Sequence, residues 1–540
     1  MKKTLLFILP LAAMLLLALS SCNKSDKDED EYRGNGGGPA VTDSYMLVCQ
    51  HVSDVSKEAS KYFKSSKSIS ELKKYASDLK QLKYVEDVYF TNSEMYIEVK
   101  DFGSISYTYL SDEEQEPDKW SQMITRQMAS ASRAGNNDTH LYADYKTAVV
   151  VNQQFRDESR GFCKDIMTAT RKMLEAANIE VTPENNPQVS FFNDAIYNYD
   201  IVFILTHGGY DPKQKLHWLL TSEVPSSDNR EYLEAEGIFK YKGQPRDKVS
   251  FGSVKETRDG VETVVSYAKV SEKFIAESLD GKSFPHKGKA IVFNSACKSM
   301  MGPGENPNLS DTISYSLAKA FADNGAGIYM GYDQSNGVGR YAHMNMVAKM
   351  VSCMSIEDAY NQLPFRYRHQ HYEKTEDRDE YWADLIAYYP KMEKACIIKP
   401  TMDKEDDQST DNIIKFVLKG KSVLYPELDK EYSSGINKKF YFDYSKYRYG
   451  FEISESENFD KPKKLNQMSV GNTGCTLSNN KVEITQTVTN SDLKPNTTYY
   501  YRTFFSSNTD TYYSDSRSFT TKAITTTGNT DLPDVPGSDF

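Results

Sequence analysis

The chain has 540 residues, enough for about three or four folded units, and its 39% hydrophobic and 26% charged content excludes both a disordered chain and a membrane-spanning bundle. Its 76 acidic residues against 65 basic ones leave a net charge of −11, which argues against the cationic surface that a nucleic-acid binder needs to displace counterions from phosphates. Seven cysteines with no CxxC pair are too sparse for a disulfide framework or a cysteine zinc site.

The amino terminus carries the first specific signal. Lys2 and Lys3 precede an apolar run from Leu5 to Leu19, and Ser20-Ser21-Cys22 follows it. A basic start, a short apolar run and small residues at its exit describe a secretory signal rather than a spanning helix. Leu19-Ser20-Ser21-Cys22 resembles a bacterial lipobox, which implies that residues 1–22 hold a lipoprotein signal, cut before Cys22, with diacylglycerol attached to that thiol. An ordinary signal peptide that ends near a cysteine is the plainer alternative. Residues 23–40 are charged and then glycine-rich, too poor in apolar surface to fold, and read as a tether. The acidic run after Cys22 resembles the export signal of surface lipoproteins in Bacteroidetes-type bacteria. That implies an outer-membrane, lipid-anchored protein exposed at the cell surface; a solvated linker with no address is the other reading. No other stretch is long and apolar enough to cross a bilayer, so the rest is expected to be soluble and extracytoplasmic.

Residues 41–140 read as a small α+β accessory or pro-domain. Val55 to Leu82 has the apolar spacing of a surface helix, and Val85–Phe90, Met95–Val99 and Ser104–Leu110 read as strands. Ser121 to Asn137 is a polar, arginine-containing linker and a candidate processing site. From Thr147 the texture changes: Ala148–Val151, Ile201–Leu205, Ala290–Phe293 and Ala326–Met330 are continuous apolar runs, as expected of strands buried on both faces of a parallel sheet. Phe162, Ile166, Met167, Met173, Leu174 and Ala177 recur at helical spacing, and a further helix, marked by Ile313, Leu317, Ala320 and Phe321, starts near Ser310-Asp311 and stops at Asn324-Gly325. Alternating strands and helices predict βαβ units, an α/β fold in which reactive groups gather at the carboxyl ends of the strands.

Two strand ends carry chemistry. Ile201–Leu205 ends in Thr206-His207-Gly208-Gly209, and Ala290–Phe293 ends in Asn294-Ser295-Ala296-Cys297. On neighbouring strands, the imidazole could accept the thiol proton, and a glycine N–H could stabilise an oxyanion. Taken singly, each has a bland reading: a cysteine after a buried strand is usually a small hydrophobe, and His-Gly at a strand end is usually a turn. Together, in this order, the two blocks resemble the signature of the clan CD cysteine peptidases, the group of caspases, gingipains, clostripain and legumain. The resemblance covers residues of about 145 to 370 and implies a caspase-like sheet covered by helices within a domain at 141–400. It also implies Cys297 as nucleophile, His207 as base and proton donor, and the N–H groups of Gly208 and Cys297 as the oxyanion hole. No metal or other cofactor is implied.

The resemblance has departures. His207 and Cys297 are 90 residues apart (297 − 207), against roughly fifty in caspases. The excess, an insertion over 210–284, reads as a loop or hairpin: a substrate lid, a self-cleavable segment or a surface excursion. Relatives specific for basic P1 residues carry an acid in the S1 pocket, for which Asp333 is the candidate, with a solvated turn as its alternative. Position 295 is Ser where clostripain-like sequences tend to carry Asp, which weakens the case for arginine or lysine specificity. His217, His286, His343, His369 and His371 lack metal-ligand spacing, His369-Gln370-His371 reads as a surface patch, and Cys163, Cys353, Cys396 and Cys475 read as buried thiols.

The last third is expected to differ. After a polar linker at 403–411, strands with period-two alternation return at Phe440–Tyr444 and Tyr449–Ile453. Leu493-Lys494-Pro495-Asn496-Thr497-Thr498-Tyr499 has the form of a tyrosine corner. With Ser518–Thr521 closing the last strand, residues 412–522 resemble a fibronectin type III-like module, an Ig-like β-sandwich that serves as spacer or binding platform, and 523–540 form a loose tail. The expected whole is a membrane-anchored cysteine endopeptidase acting on protein or peptide substrates, with surface or extracellular ligands open to the sandwich. Its rivals are an inactive surface binding protein or adhesin and an acyl transferase using the same pair.

Overall fold

The computed structural model describes residues 42–524 apart from 67, 91–93, 101–102, 109–139, 212–213, 226–229, 234–237, 242, 301–315, 334–338, 373–380, 389–391 and 393. Cys22, the lipobox, the tether at 23–40, the linker at 121–137 and nearly all of the tail lie outside the described residues. The chain divides into Met1–Leu47 and Val48–Phe540, and the architecture below is that of the second unit, apart from the start of the helix Thr42–Ser65.

The fold is mixed α/β with more strand than helix among the described residues. In place of one helix over 55–82 stand Thr42–Ser65, Ile69–Lys73 and Ala76–Lys80, with a new start where the Ser68 hydroxyl accepts the Glu71 N–H. β1 (Val85–Phe90), β2 (Glu94–Val99) and β3 (Gly103–Thr108) follow as an antiparallel meander, close to their expected positions. Next come β4 (Thr147–Asn152), α1 (Gly161–Ala176), β5 (Glu180–Glu184) and β6 (Ile201–Leu205). β7 (Gly208–Asp211) and β8 (Leu216–Leu220) pair antiparallel, as do the longer β9 (Val249–Arg258) and β10 (Val261–Ser271). β11 (Ala290–Asn294), α2 (Ser316–Asp323), β12 (Ala326–Tyr332), α3 (Gly339–Val351), β13 (His369–Tyr372) and β14 (Tyr381–Tyr388) complete this part.

The central sheet has the order β5-β4-β6-β11-β12-β14-β13. Its first five strands are parallel, whereas β14 runs antiparallel to β12 and β13 antiparallel to β14. Ala148 to Val151, Ile201 to Ile204 and Ala290 to Phe293 are wholly buried, which explains their unbroken apolar sequence. Both ends of the sheet carry polar sequence. The polar Glu180–Glu184, with Pro183, is an edge strand, where a missing N–H is tolerated. His369-Gln370-His371, read as a surface patch, lies in edge strand β13, paired with Trp382 to Asp384.

The residues expected to form a small accessory domain and those expected as a loop or hairpin insertion contribute strands to one sheet. Its order is β1-β2-β3-β9-β10-β8-β7, joined where Val254 of β9 lies parallel to Thr108 of β3. The insertion is largely strand, built around the β9–β10 hairpin that closes at Arg258 opposite Val261, with β3 as its partner distant in sequence.

The carboxyl-terminal part is a sandwich of two antiparallel sheets. One pairs β15 (Lys415–Val423) with β18 (Lys481–Thr489) and that with β17 (Cys475–Ser478); the other pairs β16 (Arg448–Ser454) with β19 (Thr498–Ser506), flanked by β20 (Thr511–Tyr513) and β21 (Arg517–Thr520). The Lys494 N–H donates to the Tyr499 hydroxyl at 2.8 Å. The expected linker at 403–411 is partly sheet, since Asp406–Asp407 pairs with β15, as does Thr401–Met402 just before it. Phe440–Tyr444 is not a strand: its backbone is taken by α3, where the Asn345 side chain bonds the Tyr441 N–H and the Lys439 carbonyl, and Lys349 donates to the Tyr441 carbonyl.

Candidate active site

Three neighbouring strands of the central sheet end side by side. β4 pairs with β6 up to Asn152 opposite Leu205, and β6 pairs with β11 up to Ile204 opposite Asn294. The Ser295 N–H extends this ladder by donating to the Ile204 carbonyl at 3.0 Å. His207 stands two residues past β6 and Cys297 three past β11, both at the carboxyl ends of buried strands. His207 is buried at 6% exposure, whereas Cys297 is half-exposed.

Gly208 sets how closely these ends approach. A Cβ there would lie 2.7 Å from the Ala296 Cβ and 3.1 Å from the Cys297 carbonyl oxygen, so only glycine fits. The Leu220 N–H donates to the His207 carbonyl at 2.9 Å, which makes Gly208–Leu219 a non-hydrogen-bonded pair of the β7–β8 ladder. The Gly208 N–H therefore points away from β8, on the open side of an edge strand.

The turn bearing Cys297 is held from several sides. The Asn294 carboxamide accepts the Ala296 N–H at 3.0 Å and donates to the Tyr329 hydroxyl at 2.8 Å, which in turn donates to the Ser299 carbonyl at 3.0 Å. The Ser299 hydroxyl donates to the Asn294 carbonyl and accepts the Tyr332 N–H. Lys298, next to Cys297, has φ of +55°, a left-handed conformation that a non-glycine residue keeps only when its surroundings impose it. Ser295 pairs with the Nδ1 of His343 at 2.9 Å, and burial pushes that imidazole down to about 3, so it stays neutral. Asp333 is half-buried, immediately past β12, the strand beside β11.

The surroundings of His207 were only partly foreseen. Gln154, two residues past β4, places its Nε2 at 3.2 Å from Nδ1 and 3.1 Å from Nε2 of the ring. The Cys163 thiol, in the first turn of α1, donates to the Gln154 Oε1 at 3.1 Å and accepts from Arg340 at 3.6 Å. Burial, followed by the positive charges of Arg160 and Arg340, holds the His207 imidazole well below its usual range. Burial raises the Cys163 thiol, which stays a neutral S–H. Cys163, Cys353, Cys396 and Cys475 are buried free thiols, as expected. The strand-end rule that points to His207 and Cys297 also reaches Gln154, three residues past the apolar run Ala148–Val151. Arg160 and Arg340 carry no such signal.

No family model matches the chain, and no curated protein matches it. Among solved structures it is similar to the sensor domain of the anti-sigma factor RsgI4 of Pseudobacteroides cellulosolvens, at 18% identity and a TM-score of 0.17, over 27% of this chain and 92% of that one.

Proposed function

We propose that this chain is a cysteine endopeptidase of the clan CD kind, exported as a lipid-anchored protein of the cell surface through Cys22, with an Ig-like sandwich behind the catalytic unit. The observation that carries the reading is the meeting of His207-Gly208 and Ala296-Cys297 on adjacent parallel strands, pressed together at Gly208. A sheet of five parallel strands with an antiparallel edge supports the caspase-like part. The Tyr499 corner supports the sandwich. The Cys297 sulfur attacks the scissile carbonyl carbon and His207 takes the thiol proton. The Gly208 N–H, with that of Cys297, faces the oxyanion. The C–N bond breaks as His207 passes the proton to the leaving amine, and water hydrolyses the thioester.

One observation favours the rival reading of an idle surface binding protein: His207 is buried, with the Gln154 side chain packed against its ring. The test is a mixed peptide library digested with the chain from Asn23 onward and with its Cys297→Ala and His207→Ala forms. The expected result is cleavage that both substitutions abolish. Cleavage after Lys or Arg would hand the pocket to Asp333, and cleavage that survives Cys297→Ala would end the peptidase assignment.

A further inference from the structure

The sheet that joins the amino-terminal strands to the insertion has β1 and β7 at its opposite ends. Side chains from those two ends nevertheless meet. The Tyr89 hydroxyl of β1 donates to the Asp211 carboxylate of β7 at 3.0 Å, with Glu98 of β2 next to it at 3.3 Å. The Trp218 indole N–H of β8 donates to the Tyr96 hydroxyl of β2 at 3.2 Å, and that hydroxyl stands 3.5 Å from the Tyr210 carbonyl of β7. The Tyr89 and Tyr96 rings stack at 5.0 Å, within 3° of parallel. A sheet whose ends come together in this way is strongly curled, as strand twist allows. Its hollow face is filled: Lys269 of β10, 3% exposed, lies 5.3 Å from the Tyr96 ring centre and 4.9 Å from that of Trp218, and donates to the Ser106 hydroxyl of β3 at 3.3 Å.

The strand clasped in this way is the one that carries the site, because β7 begins at Gly208, the residue after His207. A second seam lies along β9, where β3 pairs with Gly252 to Val254 and Lys255 donates to the Ser66 carbonyl at 3.0 Å over the Phe63 ring. We propose that residues 48–108 are a permanent wall of the candidate site rather than a removable propeptide. Tyr89 and Tyr96 are its positioning residues: they hold Tyr210-Asp211, and through β7 keep the His207-Gly208 step in place beside Cys297. The bearing on catalysis rests on the peptidase reading; the clasp on β7 does not.

Two measurements test this. In the first, a protease recognition sequence is inserted between Thr108 and His140 in the chain from Asn23 onward, and the cut protein is run on gel filtration at micromolar concentration. The two pieces are expected to elute together, at the volume of the uncut chain, and to part only in denaturant. Pieces that separate in native buffer would overturn the proposal. The second measurement is hydrogen exchange at Gly209 and Asp211, which occupy hydrogen-bonded pairs of the β7–β8 ladder, as His207 and Leu220 do. Tyr89→Phe and Tyr96→Phe are each expected to speed that exchange about tenfold, while β4 and β6 keep their rates. Tyr107→Phe is the matched control. Tyr107 is buried and donates to the Ser56 carbonyl at 3.2 Å, but it follows Ser106, the partner of Tyr96, and so stands on the other face of the sheet. Unmoved exchange in either Tyr89→Phe or Tyr96→Phe, or an equal rise in Tyr107→Phe, would overturn the proposal. Peptide cleavage is expected to fall in the first two variants and to hold in the control. Faster exchange in a chain that cleaves nothing would retire the peptidase reading and leave the clasp on β7 standing.

Discussion

At the scale of single residues, the site depends on how near two backbones can come. Gly208 and Ala296 are spaced for a hydrogen atom where other residues carry a methyl group, and the Cβ of an alanine at 208 would meet the Ala296 Cβ at 2.7 Å. Close-packed backbone cannot absorb that overlap without moving the strand ends apart. Gly208→Ala is therefore expected to cost about 1–3 kcal/mol of stability and, under the proposed peptidase function, to lower peptide cleavage at least tenfold by displacing His207 from Cys297. Gly161→Ala is the control, because a Cβ there meets no atom within 4 Å. Equal loss of activity in both variants would contradict the spacing argument. His207 and Cys297 were legible in the sequence because each ends an unbroken apolar run. Arg160 and Arg340 were not, because a charge at the end of a turn or helix looks the same in sequence whether it faces solvent or a buried imidazole.

Among the elements, β11 and β12 do more than supply apolar layers. Tyr329 of β12 is fully buried, and its hydroxyl ties Asn294 at the end of β11 to the Ser299 carbonyl beyond Cys297. Tyr329→Phe leaves the Asn294 amide and the Ser299 carbonyl without that partner, a cost of about 1–3 kcal/mol. Denaturant unfolding is expected to show that loss, and cleavage to fall with it as the Cys297 turn loosens; a variant as stable and active as the parent would show that the turn is held elsewhere. Elements with a period of their own could be read in advance: β1 to β3 by alternation, β4, β6, β11 and β12 by continuous burial. Two kinds escaped. Edge strands such as β5 and β13 are polar because one side faces solvent, so they resemble loops. The pairing of β3 with β9 joins Thr108 to Val254, and no local pattern encodes a contact across so long a stretch of chain.

For the molecule as a whole, the sandwich is not a detachable spacer. One continuous core runs from Ala143 and the central sheet through α3 into Tyr449, Phe451, Tyr501 and Phe519 of the sandwich. Asp358 adds a polar clasp, accepting from the hydroxyls of Ser507 at 2.5 Å and Tyr512 at 2.7 Å. Helix α3 is buried nearly all round, which explains why its sequence shows no clear apolar stripe. Its Lys349, 2% exposed, donates to the Tyr441 carbonyl at 2.8 Å and lies over the Phe442 ring at 5.0 Å. Burial lowers this ammonium from 10.5 to about 7. A depressed lysine means that the folded chain binds fewer protons than the unfolded one between these values, so this contribution to stability rises with pH from about 7 to 10.5 and is lost as pH falls through that window. Lys349→Met removes the titration but leaves the Tyr441 carbonyl without its donor, a penalty that does not vary with pH. The difference in unfolding free energy, variant minus parent, is expected to be most positive at pH 7 and below. It should fall by an amount on the order of 3–4 kcal/mol toward pH 10. A difference that stays flat from pH 6 to 10 would show that Lys349 keeps its proton in the fold, and that α3 holds the sandwich with a charged lysine rather than a neutral one.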